Sequence, residues 1–417
     1  MEKRRTKEWY CWVIVAACLL LSAASIGMLS YFNALFVTPV CESLHIARSS
    51  LSLMSTFSTV TTMLLLPFVG KLYDHIPMKL LVLLGAIAGG CAHLCYSLAQ
   101  NTILFYLGGI LSGIGACLAG AAPITLLLAN WFEEKRGLAT GIAFTGSSLV
   151  SSLLSPVVSS LIGTYGWRVG YRCIAAGLVL TILAALLLIR PTPAAMGLLP
   201  YGGKRHEKLH SLQADGLSQR GTLRQPSYWL LAVGIFLFGL MTAGTQQQLV
   251  SYWRTESISQ EIAVRMYSIV LLAGVAGKML VGYIYDRFSV PIATIFCGIT
   301  AACAYLSLWL CLGERIVMLP AVLFGLSTAL QVILPSYLTK KFFGSAAFLS
   351  NVGLITTILY LGSSVGAPAC AFIFDRSGSY APAWLLYALL STFAAAAILA
   401  ANQLAKARPA QRSPREA

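Results

Sequence analysis

Apolar runs of about 20 residues recur along the whole 417-residue chain, and short polar or glycine- and proline-containing stretches separate them. A helix needs about 20 residues to cross the ~30 Å hydrocarbon core of a bilayer. The pattern therefore predicts an all-α membrane protein with twelve transmembrane helices. These lie near 9–35, 51–70, 79–99, 103–129, 138–163, 171–190, 228–250, 264–284, 289–311, 316–338, 347–373 and 381–404. The first run follows a basic segment, as in a signal peptide, but it is long enough to span, so we interpret it as an uncleaved first helix.

The composition supports this interpretation. Hydrophobic residues make up 58% of the chain and charged residues only 10%, whereas soluble domains carry roughly 25% charged residues. A net charge of +15 is also typical of proteins that bind nucleic acid. Here, however, the basic residues lie in short inter-span loops without stacking aromatics, so we expect no nucleic-acid partner. Most of the eleven cysteines fall inside apolar runs and form no CxxC metal pattern. We expect no metal and no cofactor.

The basic residues predict the orientation. With the N terminus inside, 21 of the 29 Lys and Arg residues lie on the inner side and seven on the outer side. Positive charge favours the cytoplasmic side of a membrane. We therefore expect a multi-pass protein of the cell (inner or plasma) membrane with both termini in the cytoplasm.

The chain also repeats itself. "VGKLYD" at 69–74 returns as "VGYIYD" at 281–286, and the same offset along the chain pairs Gly113 with Gly325, Pro123 with Pro335 and Pro156 with Pro368. A polar, glycine-, proline- and lysine/arginine-rich segment divides the spans six and six. We predict a six-helix half at 1–190, a cytoplasmic linker at 191–227, a second half at 228–404 and a tail at 405–417. This parallel repeat resembles the architecture of the major facilitator superfamily, two six-helix halves related by a pseudo-two-fold axis.

Two loop segments carry the resemblance further, "GKLYDHIPMK" at 70–79 and "GYIYDRFSVP" at 282–291. They resemble the motif of the superfamily between spans two and three, although Pro77 and Ser289 stand where glycine is usual. Glycine permits close helix approach, and aspartate faces the positive end of a neighbouring helix. Lys71 and Arg287 offer partners for an inner-side latch. The resemblance implies these gating residues: Gly70, Lys71, Asp74, Gly282, Asp286 and Arg287.

Three further segments are similar to the monocarboxylate and oxalate/formate transporter branch: "NWFEEKRGLATGIAFTGSSL" at 130–149, "GTYGWRVGYR" at 163–172 and "DRSGSYAPAW" at 375–384. The resemblance covers the chain except its linker and tails. It implies a secondary transporter of a small organic anion, most simply a monocarboxylate, that works by alternating access as a monomer. Its partners would be the anion, the bilayer and a co-transported proton or an exchanged anion.

Lys278 is the most unusual residue of the apolar runs. An ammonium in hydrocarbon costs ~3 kcal/mol or more, and all 14 acidic residues lie in tails, loops or span ends. The missing counter-ion is most simply the substrate. The branch resemblance agrees, because its members carry a basic residue, usually arginine, four residues before the motif glycine, here Gly282. The alternatives are a lysine that snorkels to the surface and one with a structural partner.

The chain departs from the residue pattern of this branch at several positions, and these differences narrow the class of substrate that we expect. An ammonium is a point charge and lacks the bidentate grip of arginine. Oxalate carriers hold a second lysine in the eleventh span, but 347–373 contains no Lys or Arg, which favours one carboxylate over two. Gly274 stands where animal-type monocarboxylate carriers place an aspartate of their proton step. His93 is then the candidate proton site, and the alternative is a histidine that is packed and neutral. The sequence does not distinguish proton symport from anion exchange as the way in which transport is coupled.

Uncharged polar residues complete the predicted site. In lipid such side chains seek partners in protein or water, so each one either lines a cavity or joins helices. The candidates are Tyr31, Asn33, Gln246, Gln247, Gln331, Asn351 and Tyr360. No phosphate-binding loop, zinc-protease motif or nucleophile elbow occurs, so we expect no enzyme. A proton-coupled exporter of drugs or metabolites and a non-transporting receptor on a transporter fold remain the alternatives.

Overall fold

The computed structural model describes residues 2–202, 219–310, 316–344 and 348–407. This part of the chain is helical, apart from connecting turns and one isolated bridge between Phe132 and Tyr201. Two short helices, Ala194–Met196 and Gln219–Leu223, lie between the two halves, and the other helices form twelve segments, spans 1 to 12. They are span 1, Glu2–Ser22, Ala23–Tyr31 and Asn33–Leu44; span 2, Arg48–His75; span 3, Met78–Leu98; span 4, Thr102–Ala119 and Ala121–Trp131; span 5, Arg136–Tyr165; span 6, Trp167–Leu188; span 7, Pro226–Thr255; span 8, Gln260–Arg287; span 9, Val290–Trp309; span 10, Met318–Ser327 and Leu330–Phe343; span 11, Phe348–Ser377; and span 12, Ala381–Lys406.

Eleven of these described segments are long and apolar enough to cross a membrane. The tenth was expected to be one helix and consists instead of two short ones, separated at 328–329. The Thr328 hydroxyl donates to the Gly325 carbonyl at 2.6 Å, and this local bond competes with the helical ladder. Most other spans run past the predicted apolar limits, because the backbone keeps its helical hydrogen bonds beyond the hydrocarbon region. Ser259, for example, caps span 8 by accepting from the Ile262 N–H.

Spans 1 and 4 are also interrupted. In span 1 a π-helical stretch covers Ala23–Tyr31, a form that is rare and frequent at functional sites. In span 4 the helix breaks at Gly120, whose φ and ψ of −93° and −129° leave a Cβ only 2.1 Å from the Ala116 carbonyl oxygen. A side chain would collide there, so glycine is required at this bend.

The internal repeat is visible in how the helices touch. Span 4 packs on span 2 where a Cβ on Gly113 would lie 2.4 Å from the Ser58 carbonyl oxygen, and span 10 packs on span 8 where a Cβ on Gly325 would lie 2.4 Å from the Val270 carbonyl oxygen. Gly325 follows Gly113, and Val270 follows Ser58, by the same offset along the chain that relates the repeated sequence segments. Small residues allow this close approach of helix backbones in membranes.

The two halves meet along two equivalent seams, which we call the first seam (spans 2 and 11) and the second seam (spans 5 and 8). In the first, the Thr56 hydroxyl donates to the Ser364 carbonyl at 2.5 Å. In the second, the Ser152 and Ser268 hydroxyls each donate to the other residue's carbonyl at 2.9 Å. Under the repeat offset Thr56 corresponds to Ser268 and Ser152 to Ser364, so the repeat extends to the interface between the halves.

The bundle has two ends. The terminal face is the end with residues near Trp9, Leu188 and Lys406, and the distal face is the end with Leu44, Arg48, Thr255 and Ser377. The limits 1–190, 191–227, 228–404 and 405–417 stay predictions. Residues 203–218 of the linker and 408–417 of the tail lie outside the described residues.

Candidate functional site

Lys278 lies at the wall of a cavity of about 30 Å³ between the halves, which we call the anchor cavity. Its Nζ is 3.5 Å from the Ser148 hydroxyl of span 5, at the long end of hydrogen-bond range. The other lining residues come from spans 1, 7, 8 and 10: Tyr31, Gln246, Val270, Leu271, Thr328 and Gln331. The volume is about that of one water molecule in the liquid, so in this conformation the ammonium faces a small polar space.

In the described part of the chain, the one ion pair joins Arg265 and Glu261 on the surface of span 8. Lys278 makes no such pair there, and its three N–H donors meet the single hydroxyl of Ser148. The half-buried charge is therefore not neutralised by a described carboxylate. An anion that enters the anchor cavity would supply the missing partner.

Two glycines place Lys278 beside the break in span 10. A Cβ on Gly274 would lie 2.9 Å from the Thr328 hydroxyl oxygen, and a Cβ on Gly277 would lie 2.7 Å from the Leu326 carbonyl oxygen. Span 8 therefore approaches span 10 closely just before Lys278. The same packing explains why position 274 holds glycine and not the aspartate of animal-type monocarboxylate carriers, because an aspartate there would overlap span 10.

A larger cavity of about 140 Å³, the polar cavity, adjoins the anchor cavity. Tyr31 and Gln246 line both, so the two spaces share a wall. Most of the remaining lining consists of hydroxyl, amide and phenol side chains: Ser30, Asn33, Ser55, Ser58, Thr59, Tyr96, Gln247, Tyr267 and Ser363, together with the apolar Met54, Ala243 and Ala367. These residues come from both halves, so the cavity lies between them.

Asn33 and Gln247 line the polar cavity, and each carries an unpaired polar atom. Asn33 is 9% exposed and donates through Nδ2 to the Leu29 carbonyl at 3.4 Å, while its Oδ1 has no partner. Gln247 is 7% exposed, and its Nε2 has no partner. An unpaired buried donor or acceptor costs about 1–3 kcal/mol, so both atoms favour a polar occupant of the cavity.

Tyr31 ends the π-helical stretch of span 1, which explains its position at the shared wall. Its carbonyl accepts a hydrogen bond from the Tyr267 hydroxyl of span 8 at 2.8 Å. The bond holds the interruption of span 1 against the opposite half. Tyr31 is thus placed by the irregular backbone, which a pattern of apolar residues does not reveal.

The distal face is closed by a polar network between the halves. The Arg48 guanidinium donates to the Tyr380 hydroxyl at 2.8 Å and lies 4.1 Å from the centre of the Phe374 ring. Tyr380 in turn donates to the Gln248 side-chain oxygen at 2.9 Å, and the Gln248 amide donates to the Ser52 hydroxyl at 2.8 Å. The network therefore ties span 2 to spans 7, 11 and 12.

Asp375 adds a charged cap to this network. Its carboxylate oxygens accept the main-chain N–H groups of Arg48 at 3.3 Å and Ser49 at 2.9 Å, at the start of span 2. The helix dipole favours an anion at this end. Together with the bond from the Thr38 hydroxyl to Ser251 at 2.9 Å, the cap keeps the distal ends of the halves together. We call this network, with its cap, the distal lock.

His93 is placed away from both cavities. It is 1% exposed, and its Nδ1 lies 3.0 Å from the Gly89 carbonyl of the preceding turn. Its ring packs edge-on against Tyr96 and Tyr171. Tyr96 lines the polar cavity, so one aromatic ring separates the imidazole from it. The proton role stays a prediction.

Two of the expected lining residues do not join the others. Asn351 is buried near the terminal face, where its Nδ2 donates to the Thr222 hydroxyl at 3.1 Å. Tyr360 lines neither cavity and occupies the position in span 11 that corresponds to Ser148 in span 5. Asn351 is therefore too close to the terminal face to reach the cavities, and span 11 packs on spans 2 and 7 rather than on span 8, which carries Lys278.

The predicted gating residues lie on helical backbone near the terminal face. The structure describes only the backbone of these residues, apart from Arg287, so it does not show the side chains of Lys71, Asp74 and Asp286. Arg287 is exposed and ends span 8. The latch between these residues stays a prediction.

The sequence interpretation missed three features of the site. Ser148, the neighbour of Lys278, is one of many serines in span 5, and no pattern distinguishes it. Thr328 sits at an unpredicted helix break. The distal lock was also missed, although Arg48 and Asp375 are charged residues directly at span ends, and that is the signal that indicates a pair.

Comparison with known proteins agrees with this geometry. Residues 16–367 match the sequence profile of the Major Facilitator Superfamily. The chain belongs to the Major Facilitator Superfamily. It is therefore a multi-pass membrane transporter and not an enzyme, as the sequence predicted, and its fold of twelve helices in two halves is the superfamily's.

Curated relatives are monocarboxylate transporters, as the resemblance to that branch predicted. The chain is 24% identical to monocarboxylate transporter 12 of Homo sapiens, over 96% of this chain and 82% of the relative. It is 25% identical to monocarboxylate transporter 12 of Xenopus laevis, over 78% and 74%. It is 23% identical to monocarboxylate transporter 11 of Homo sapiens, over 90% and 79%.

Solved superfamily structures show the same fold at lower identity. A nucleoside transporter superposes with a TM-score of 0.74 at 12% identity, covering 93% of this chain and 99% of that one. A D-xylose–proton symporter gives 0.68 at 16% identity, covering 96% and 97%. Their different substrates indicate that the fold alone does not determine what this member carries.

Proposed function

We propose that this superfamily member carries small monocarboxylates across the membrane and that Lys278 binds the carboxylate. The observation that supports this most is the half-buried Lys278 ammonium, which faces an inter-half cavity and has no described carboxylate partner. In a partly desolvated site the attraction between opposite charges is several times stronger than in water. Since the charge costs free energy without a partner, an anion gains most by binding there.

A single carboxylate fits the lining better than two. Among the described residues that line the anchor and polar cavities, Lys278 is the one charged side chain. A dianion would bring a second charge with no cation to meet it, which is costly in a low-dielectric site. The names of the curated relatives point to the same class of substrate.

Transport requires the two halves to rock about this site. The basic residues predict that the terminal face is cytoplasmic, and the distal lock closes the opposite end. We therefore interpret the structure as a conformation closed toward the outside. The predicted gate motif around Asp74 and Asp286 would brace the cytoplasmic end in the opposite conformation.

Import of an anion needs coupling, because a negative-inside potential opposes it by ~2.3 kcal/mol per charge per 100 mV. A proton that enters with the acid, or an anion that leaves in exchange, would supply the driving force. Export needs neither. His93 is the candidate residue for a proton, and its separation from the cavities means that a proton would have to pass Tyr96.

Uptake by purified protein in liposomes tests the proposal. A panel of labelled acids (formate, acetate, lactate, pyruvate and oxalate) is offered with an imposed pH gradient or with unlabelled acid inside. We expect uptake of monocarboxylates and exclusion of oxalate. Dependence on the gradient indicates proton symport, and dependence on internal acid indicates exchange. If no acid moves in either setting, the monocarboxylate proposal is wrong, and the drug-exporter and receptor alternatives take its place.

Matched lysine variants connect the uptake to the site. Lys278→Gln removes the charge at similar length, whereas Lys341→Gln removes an exposed charge at the end of span 10. We expect the first variant to lose uptake and the second to keep it. Lys278→Arg should retain part of the uptake if charge is what matters. Normal affinity in Lys278→Gln would overturn the anchor role.

A further inference from the structure

We propose that the polar cavity binds the rest of the same substrate, a neutral tail of about six heavy atoms that both donates and accepts hydrogen bonds. Sugar acids are the simplest compounds of this class. The inference rests on the proposed function, because it takes the carboxylate to be bound at Lys278. It goes further by assigning a second subsite and a chemical class to the tail.

The first support is the shared wall. Tyr31 and Gln246 border both cavities, so a molecule with its carboxylate in the anchor cavity extends past these two residues into the polar cavity. The anchor cavity, at about 30 Å³, has room for the carboxylate and little more. The remainder of any larger substrate must therefore lie beyond the wall.

The second support is the pair of unpaired atoms. Asn33 Oδ1 is an acceptor on span 1, and Gln247 Nε2 is a donor on span 7. Each belongs to a side chain that is more than nine-tenths buried and lines the polar cavity. Both atoms are themselves buried, so each side chain must turn toward the cavity to meet an occupant. A tail that bridges them must offer one donor and one acceptor, as a hydroxyl does. Because the two atoms lie on opposite halves, such a tail also ties the halves together.

The size and lining set the class of tail. A volume of about 140 Å³ is close to that of an engineered protein cavity that holds one benzene molecule, about six heavy atoms. No charged side chain lines the polar cavity within the described residues, so a second charge on the substrate is disfavoured. An apolar tail would leave the amides and hydroxyls unpaired, and sites built to hydrogen-bond reject such analogues strongly.

Threonate and butyrate form a matched pair of probes, since both are four-carbon monocarboxylates and only threonate carries hydroxyls. Beyond its carboxylate, threonate has three carbons and three hydroxyl oxygens, about the six heavy atoms that the cavity volume allows. Each competes, unlabelled, with labelled acetate for uptake into proteoliposomes. Acetate reports on the anchor alone because it has no hydroxylated tail. We expect threonate to inhibit at a concentration at least about tenfold lower than butyrate, which corresponds to about 1.4 kcal/mol.

Variants of the unpaired residues locate the preference. Asn33→Leu and Gln247→Met replace the amides by apolar groups of similar size, and we expect each to reduce the preference for threonate over butyrate several-fold more than it reduces acetate uptake. Asn402→Leu is the control, because Asn402 is a buried asparagine of span 12 that lines neither cavity. This control should keep the preference of the parent protein.

The outcomes separate the inference from the proposed function. If acetate is transported but butyrate inhibits as well as threonate, the polar cavity does not recognise a hydroxylated tail and the inference is wrong while the function stands. A preference that persists in both amide variants also overturns it. If no acid is transported, both fail. Should the variants not fold, thermal stabilisation of the parent protein by threonate and not by butyrate supports the inference, and the reverse refutes it.

Discussion

The two seams between the halves occupy equivalent positions in the internal repeat, so the same contacts are expected in both. They share one contact and differ at two other places. Both are joined near the middle by hydroxyl-to-carbonyl bonds at equivalent positions, Thr56 with Ser364 in the first seam and Ser152 with Ser268 in the second. The common contact shows that one interface has been used twice. Whatever is specific to this transporter should lie where the copies differ.

The seams differ first at the distal face. In the first seam Arg48 and Asp375 provide charge at the start of span 2. In the second seam the position of Arg48 is held by Gln260, whose side-chain amide donates to the Ser159 hydroxyl at 3.3 Å. A charged hydrogen bond is roughly twice as strong as a neutral one. The distal closure therefore depends more on the first seam.

The seams differ again beside the proposed substrate site. Lys278 and Ser148 face each other across the second seam, while the equivalent positions of the first seam hold Leu66 and Tyr360. The cation is thus present in one copy only. The symmetric contacts support the scaffold, and the asymmetric ones form the distal lock and the proposed anchor.

The largest expected effect comes from making the second seam resemble the first. Lys278→Leu installs the residue of the equivalent position, and we expect uptake to fall at least about 100-fold, because removal of one partner of a buried ion pair costs about 3–5 kcal/mol. The thermal midpoint of the substrate-free protein should stay the same or rise, because an unpaired charge is removed. A marked loss of thermal stability would instead indicate a structural role for Lys278.

A loss of stability of about 1–3 kcal/mol is expected where the repeat packs most tightly. Gly113→Ala and Gly325→Ala each place a Cβ 2.4 Å from a main-chain oxygen of the neighbouring span. Gly177→Ala is the control, because nothing lies within 4 Å of its Cβ. Thermal unfolding in detergent measures all three. A loss in one copy and none in the other would show that the two halves do not share this contact energetically.

The distal lock should respond more weakly. Asp375→Asn keeps the shape of the cap but removes its charge, and we expect the equilibrium to shift about tenfold toward an open distal face, about 1.4 kcal/mol. Distances between spin labels at residues 42 and 255 measure the opening. Arg376→Gln, an exposed neighbour outside the described lock, should leave the distances unchanged. If the distances in Asp375→Asn equal those in Arg376→Gln, the charge of Asp375 does not contribute to the distal lock.

The smallest effect is expected at the shared centre of the seams. Side-chain hydrogen bonds in membrane proteins contribute about 0.6 kcal/mol on average, so Ser152→Ala and Thr56→Val should cost similar amounts in thermal unfolding. Ser152→Ala with Ser268→Ala should cost about twice as much. A much larger loss in one seam would mean that the seams are not equivalent at this point.

The sequence predicted the transporter family and the all-helical fold because both follow from features that leave a direct pattern. Apolar length predicts a span, and one constant offset between matching segments predicts a repeat. It also singled out Lys278, since a lone charge in an apolar run is costly. Of the residues expected at the site, Tyr31, Asn33, Gln246, Gln247 and Gln331 line the cavities, whereas Asn351 and Tyr360 do not. Their roles in binding a substrate stay predictions.

The amino-acid sequence by itself determined which segments cross the membrane, how they repeat and which of them carries a charge, because bilayer thickness and backbone hydrogen bonding impose these on any chain. The tertiary structure decided which side chains face one another. Ser148 meets Lys278 from 130 residues away, and Asp375 caps span 2 from 327 residues away. Such meetings depend on the tilt and rotation of each helix, and packing against the other helices sets both.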